Sequence, residues 1–352
     1  PRYVNGRGFW FAKDLLAPAI WDAAQKAGCT VGAVSWPVSA GSTAIDWNLP
    51  EFWTSFYGTE DALIRRYERG GLVERAGMAG RRLENVQLDN MAARDSFMTF
   101  VAVDIIRRDK PGLLLVHLID LDHTEHESGR ASPEAKEAMR RIDGHLHEIV
   151  GAARAAGIIG RTTFIILGDH GSADVQTALA PNLLLLRHGF IETRDGRVDT
   201  WRALVQNTGG SAAVYLQDPS DTKTASAVLS LLEKNSRGTD GRPMFTVVDR
   251  RELTALGGPA KAAFCLEAEP GYMFSESLKG SSWIRRAGLK GNHGYRPGKP
   301  EMLTGFVAIG AGIRPGVVLD KIRVTDVAPT IAALLGLRFD TPEGRVLREL
   351  LK

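Results

Sequence analysis

The stretch Leu113-Leu114-Leu115-Val116-His117-Leu118-Ile119-Asp120-Leu121-Asp122-His123-Thr124-Glu125-His126 decides how this chain is read. It follows a Pro-Gly turn and opens as an apolar run, which fits a strand covered on both faces. From Asp120 onward it gathers two Asp, two His and one Glu. Open α/β sheets place their working residues just past the C-terminal ends of strands. Two later stretches repeat the pattern. The run Thr162 to Leu167 ends in Gly168-Asp169-His170-Gly171. Gly291-Asn292-His293-Gly294-Tyr295 is a loop-like segment ahead of a third run, Phe306 to Ile309. The expectation is that these three clusters meet in space.

Composition excludes several classes of protein. The 352 residues, 44% hydrophobic and 24% charged, suit a soluble globular chain with a sizeable core. A net charge of +3 with mixed signs gives no electrostatic case for a nucleic-acid duplex or a membrane surface. No apolar run reaches the roughly eighteen residues of a membrane span. The two cysteines, Cys29 and Cys265, read as separate thiols, since no Cys-x-x-Cys spacing occurs. A zinc site in this chain would therefore use His and Asp. Pro1-Arg2-Tyr3 offers neither an initiator Met nor a signal sequence, and reads as the middle of a domain.

Along the chain, apolar spacing predicts a helix over 13–27, ended by Gly28, and a strand over 30–35. A long irregular loop is expected over 36–58, then helices over 62–67 and 95–108. Ser132-Pro133-Glu134 is a strong helix start, and Gly157 a stop. The segment 113–168 thus reads as a strand-helix-strand crossover, with strands 113–120 and 162–168 parallel in one sheet that also holds 306–309. Further expectations are a helix at 176–187, a strand at 212–216, a helix at 221–234 and a last helix at 327–335. Residues 236–300 show little periodicity and read as short strands. The fold class is α/β, a mostly parallel central sheet flanked by helices on both faces, and a single domain spans 1–352.

The chemistry rests on histidines in turns. Asp122 and His126 are four apart and share a face if the segment turns helically. His126, His170 and His293 are three of only eight histidines, and all sit in Asp- or Gly-flanked turns beside strands. Imidazole with carboxylate suits zinc, with manganese or iron as rivals. His145 and His147 read as partly exposed helix surface, His188 as the end of a helix, and His123 as a neighbour of ligands rather than a ligand.

These residues resemble the type I phosphodiesterase / nucleotide pyrophosphatase family of the alkaline phosphatase superfamily. The resemblance is carried by Asp122-xxx-His126-xx-Gly129, Gly168-Asp169-His170-Gly171 and Gly291-Asn292-His293-Gly294, in that order. Val324-Thr325-Asp326-Val327-Ala328-Pro329-Thr330-Ile331 is similar to the family's closing helix, and the Pro18 to Pro37 segment also resembles it. The resemblance implies an alkaline-phosphatase-like fold and a two-zinc hydrolase of phosphate esters. Asp122, His126 and His293 would hold the first zinc; Asp169 and His170 would hold the second. The family's remaining ligand and its Thr or Ser nucleophile match no residue here. They are expected upstream of residue 1, so that this chain alone would turn over poorly. His117 stands where nucleotide-cleaving members carry a stacking Tyr, and is the candidate substrate contact. A small phosphate ester or nucleotide is the expected substrate, the expected state a monomer, and the expected location periplasmic or extracellular.

Two other readings stand beside this one. Another superfamily branch would be a phosphomonoesterase, a manganese phosphomutase or a sulfatase, although neither cysteine lies in a Cys-x-Pro-x-Arg motif. The other is a binding domain that retains a partial metal site without catalysis.

Overall fold

The computed structural model describes residues 9–52, 59–341 and 343–352. The expectations for Pro1 to Tyr3 and for 53–58 of the long loop lie outside the described residues. Two compact units interleave along the chain. Among the described residues, Asp122–Lys136 and His170–Thr304 belong to one; those from Phe9 to Leu121, Glu137–Asp169 and Gly305–Lys352 belong to the other.

In the second of these units the run that opens at Leu113 forms the strand Leu113–Val116, shorter than expected. It pairs in parallel with Val31–Val34, which pairs in parallel with Trp47–Leu49. The reason for the unbroken apolar run is that both faces are covered. Val31, Ala33, Leu113 and Leu115 pack against Ile20, Trp21 and Ala24 of one helix and Ala332 of another. Val34, Leu114 and Val116 pack against Met98, Val101 and Ile105 of the helix Met91–Arg108. Each such side chain, fully buried, contributes roughly 1.5–3 kcal/mol before entropic costs. Gly32 leaves room at this junction, since a Cβ there would sit 2.8 Å from the Leu114 side chain.

The crossover helix forms as Pro133–Ala155, with Ser132 Oγ accepting from the Ala135 N–H at 3.0 Å. The strand after it, Thr163–Leu167, does not join the strand at Leu113. It forms a separate two-stranded antiparallel ladder with Phe306–Gly310. Leu114 and Phe164 nevertheless pack around the same cluster of Ile106, Ala152 and Ala153. A crossover helix sets the layer that a strand enters, but not which strand becomes its hydrogen-bonded neighbour.

The other unit is built mainly of antiparallel ladders, so the sheet arrangement is mixed rather than mostly parallel. Phe245–Val248, Phe264–Ala268, Ser211–Leu216 and Ala203–Asn207 pair antiparallel in that order. Ala173–Leu179 pairs in parallel with Gly271–Phe274 and antiparallel with Ile284–Arg286 and Gly291–Asn292. Short turns can join only antiparallel neighbours, and this part of the chain is rich in Gly turns. The expected helix at 176–187 is in fact this strand followed by a helix, Pro181–Arg187. Pro181 opens the helix because its missing N–H costs nothing in the first turn. A further helix, Arg250–Ala255, lay unseen in the aperiodic stretch. Asp249 caps it by accepting from the Glu252 N–H at 2.8 Å. The other expected helices form at Ile20–Lys26, Glu60–Tyr67, Thr222–Lys234 and Val327–Leu335. No helix among the described residues is long and apolar enough to cross a membrane.

The closing helix is fixed by a buried carboxylate. Asp326 accepts from the backbone N–H groups of Arg323 at 3.0 Å and Arg345 at 2.9 Å. Burial pushes its pKa up, but these donors and the nearby guanidiniums outweigh it and hold the carboxyl below its ordinary value. Its contribution to stability is therefore complete above the unfolded pKa of about 3.9 and lost as pH falls through the lower folded value. Asp326→Asn is expected to melt below wild type at pH 7, with the gap closing as pH falls from 5 toward 3. Melting followed by circular dichroism across that range checks this. A gap that stays constant would contradict it.

Candidate functional site

Asp122 and His126 lie on the helix Asp120–Ser128, so the four-residue spacing places them on one face as expected. The start of that helix is set by Asp95, which the sequence reading did not single out. Its fully buried carboxylate accepts from Ile119 N at 3.0 Å and Asp120 N at 2.9 Å. Burial pushes the Asp95 pKa up, against the pull of those two donors. Asp120 itself binds Arg141 Nε at 2.7 Å. The strand ends at Val116, and at Asp120 the chain turns into a helix whose first N–H groups already have acceptors.

His126 Nε2 lies 3.5 Å from Asp122 Oδ2, and His293 Nε2 lies 3.7 Å from Asp122 Oδ1. The His293 ring stacks on His170, with centroids 3.8 Å apart and planes 18° off parallel. The His126 and His293 centroids are 4.9 Å apart. Asp122, His170 and His293 each offer one ligand atom, all within 4.8 Å of one another. The structure thus brings Asp122, His126, His170 and His293 together from three distant parts of the sequence.

Hydrogen bonds set the tautomers. His126 Nδ1 lies 2.9 Å from the Gly291 carbonyl. A carbonyl only accepts, so Nδ1 carries a proton, and in the neutral ring the lone pair sits on Nε2, toward Asp122. His170 Nδ1 lies 3.2 Å from the Gly171 carbonyl, with the same consequence. Lys290 N donates to the His126 carbonyl at 2.8 Å, binding the helix to the His293 segment a second time. Gly291 is required there because a Cβ would fall 2.4 Å from the Glu125 carbonyl oxygen. The Glu125 carboxyl is raised by burial and by the Asp122 charge. Gly129 (φ +91°) ends the helix.

Asp169 belongs to the other unit, at the end of the strand Thr163–Leu167. His117 is in that unit too. Its Nδ1 lies 3.6 Å from Oε1 of the buried Glu51. Burial alone would lower the His117 pKa; the Glu51 contact and the Asp169 charge overcome this and raise it. Of the remaining histidines, His123 pairs with Glu127 at 3.3 Å, and His188 caps a helix through the Leu184 carbonyl at 2.9 Å. His147 is exposed as expected, whereas His145 is buried, against the surface reading. It faces inward because it falls on the buried stripe of its helix, between Ala138 and Ala152.

What the geometry defines is an α/β protein with a compact cluster of imidazole and carboxylate side chains. Its fold is similar to that of human ectonucleotide pyrophosphatase / phosphodiesterase 5, with a TM-score of 0.64 at 18% identity over 96% of this chain and 75% of that one. Murine ectonucleotide pyrophosphatase / phosphodiesterase 5 matches at the same TM-score and 17% identity, over the same shares of the two chains. An inactive form of the murine protein was solved in complex with AMP. The chain belongs to the type I phosphodiesterase / nucleotide pyrophosphatase family, whose profile matches residues 2–296. The alkaline-phosphatase-like fold expected from the motifs is thereby shown. About a third of the chain, 119 residues, is also 34% identical to a shikimate kinase of Neisseria gonorrhoeae, covering 78% of that protein. A shikimate kinase of Neisseria meningitidis shares the same identity, over 62% of its length. No Gly-x-x-x-x-Gly-Lys-[Ser/Thr] loop occurs in the chain, so that likeness brings no phosphate-cradling loop with it.

Because Asp95 seeds the helix that carries Asp122 and His126, Asp95→Ala is expected to cost about 1–2 kcal/mol, as for loss of a helix cap. Urea unfolding of the two proteins measures it. Equal midpoints would mean that the helix start is held by something else.

Proposed function

We propose that this protein is a divalent-metal-dependent hydrolase of phosphate esters, and that Asp122, His126, His170 and His293 hold the metal. The observation that carries the reading is the tautomer pair. His126 and His170 both commit Nδ1 to a backbone carbonyl, the usual way of presenting Nε2 as a ligand. Three imidazoles and a carboxylate are a fitting donor set for zinc. A bound ion would supply a Lewis acid for a phosphoryl oxygen and lower the pKa of a nucleophile.

The side chains present have separable tasks. Asp122 lies between His126 and His293 and supplies the negative charge that two neutral imidazoles lack. Assigning Asp169, beside His170, to a second zinc rests on the sequence motif. The substrate class proposed is a phosphodiester or pyrophosphate of a nucleotide, supported by family membership and by the AMP complex of the murine relative.

Zinc titration by calorimetry should give saturable binding, weakened at least about 100-fold in Asp122→Ala or His293→Ala, the scale expected for losing a ligand rather than its support. AMP should raise the melting temperature of the zinc-loaded protein and leave that of the EDTA-treated protein unchanged. His170→Ala should lower kcat for bis-p-nitrophenyl phosphate strongly. Zinc binding that is equal in wild type and in Asp122→Ala would overturn the reading.

A further inference from the structure

His293 sits in a loop, yet its backbone is held as firmly as that of a strand. Its N–H donates to Asn292 Oδ1 at 2.8 Å, and Asn292 is itself buried, with Nδ2 3.4 Å from Met273 Sδ. Its carbonyl accepts from Gly210 N at 2.8 Å. The next carbonyl, Gly294, accepts from Ser211 Oγ at 2.5 Å and from Thr208 Oγ1 at 3.2 Å. The two hydroxyls lie 3.1 Å from each other. All of these outside partners but Asn292 come from one short segment, Thr208-Gly209-Gly210-Ser211, the turn between the strands Ala203–Asn207 and Ser211–Leu216.

The fit between the turn and the His293 segment leaves no room for side chains. A Cβ on Gly209 would lie 2.4 Å from the His293 carbonyl oxygen, and one on Gly210 would enter the Tyr295 ring at 2.1 Å. On the facing side, a Cβ on Gly294 (φ +78°) would lie 1.7 Å from the Thr208 carbonyl oxygen. The turn is anchored in its own sheet by Ala268 N to the Gly210 carbonyl at 2.8 Å, and to the neighbouring sheet by Phe274 N to the Gly209 carbonyl at 2.7 Å. Rigid sheet, turn and His293 segment thus form one chain of backbone bonds.

We infer that the Thr208–Ser211 turn is the positioning element of the site: the Thr208 and Ser211 hydroxyls, by holding the Gly294 carbonyl, aim the His293 imidazole at Asp122 and onto the His170 ring. Thr208 and Ser211 are positioning residues and touch no substrate. The inference rests on the metal-site reading for its functional meaning, but its geometric content does not. A loop histidine without such support would sample several rotamers, and a ligand loosely held binds metal less well. The two hydroxyls act on one oxygen, so each partly covers for loss of the other.

The test pairs Thr208→Val with Ser211→Ala, singly and together, against the hydroxyl-preserving Thr208→Ser and Ser211→Thr. In the metal-free protein, proton NMR should show the His293 ring resonances shifted by the stacked His170 in wild type. They should move toward unstacked imidazole values in the double variant and return in the hydroxyl-preserving pair. Zinc affinity should fall about 10–100-fold in the double variant, as for lost outer support of a ligand. The visible spectrum of bound cobalt should change in intensity, while Thr208→Ser with Ser211→Thr stays within a few-fold of wild type. Unchanged ring shifts with unchanged zinc affinity in the double variant would overturn the inference. Should the double variant not fold, Ser211→Ala alone decides by the same two readouts. If wild type takes up no zinc, the metal reading fails, and the metal-free spectra still decide the positioning role.

Discussion

One hydrogen bond, from His126 Nδ1 to the Gly291 carbonyl at 2.9 Å, is the constraint on which the site turns. It joins a helix near the middle of the sequence to a segment 165 residues later. It also fixes which nitrogen of His126 faces Asp122. Without it the Asp122–His126 pair would be two polar residues on an exposed helix face, with no reason to prefer one tautomer. With it, and with Lys290 N on the His126 carbonyl, the helix and the His293 segment become one object. The glycine at 291 exists because that joint leaves no space for a Cβ.

The two ends of this joint are anchored differently. The helix end is set by a buried charge: Asp95 accepts from the first N–H groups, and Arg141 draws in Asp120. The His293 end is set without a charge, by the Gly210 N–H on the His293 carbonyl and by the Ser211 and Thr208 hydroxyls on the Gly294 carbonyl. Buried charges hold a helix start well because the helix supplies several donors in one direction. A loop has no such dipole, and close backbone packing through glycine takes its place. Both devices cost conformational freedom in the unfolded chain's favour, which is the ordinary cost of holding polar groups in fixed geometry.

Much of this was legible in the sequence. The apolar run at Leu113, the Ser132-Pro133 helix start and the Asp122–His126 spacing each encode a local preference, and each formed where expected. The meeting of Asp122, His170 and His293 was inferable only because three weak motifs pointed to the same chemistry. What was not legible was nonlocal. Nothing in Thr163–Leu167 says whether its neighbour is Leu113–Val116 or Phe306–Gly310, since the ladder is made by backbone groups that every residue carries. Ala173–Leu179 passed for helix because Ala and Leu suit both states, and only its partners make it a strand. Asp95 and the Thr208–Ser211 turn act through backbone atoms of distant residues, and such partners leave no spacing signal. The Gly-Gly of that turn was the one available hint, as a hairpin marker between two β-type runs.

The central claim is that the imidazole and carboxylate cluster is a metal site. Its most direct test is diffraction from zinc-soaked crystals, with data on both sides of the zinc absorption edge. The account predicts an anomalous peak bounded by Asp122 and His293, with zinc–nitrogen distances of about 2.0–2.1 Å. Zinc bound only elsewhere on the protein, with these four side chains left uncoordinated, would contradict it.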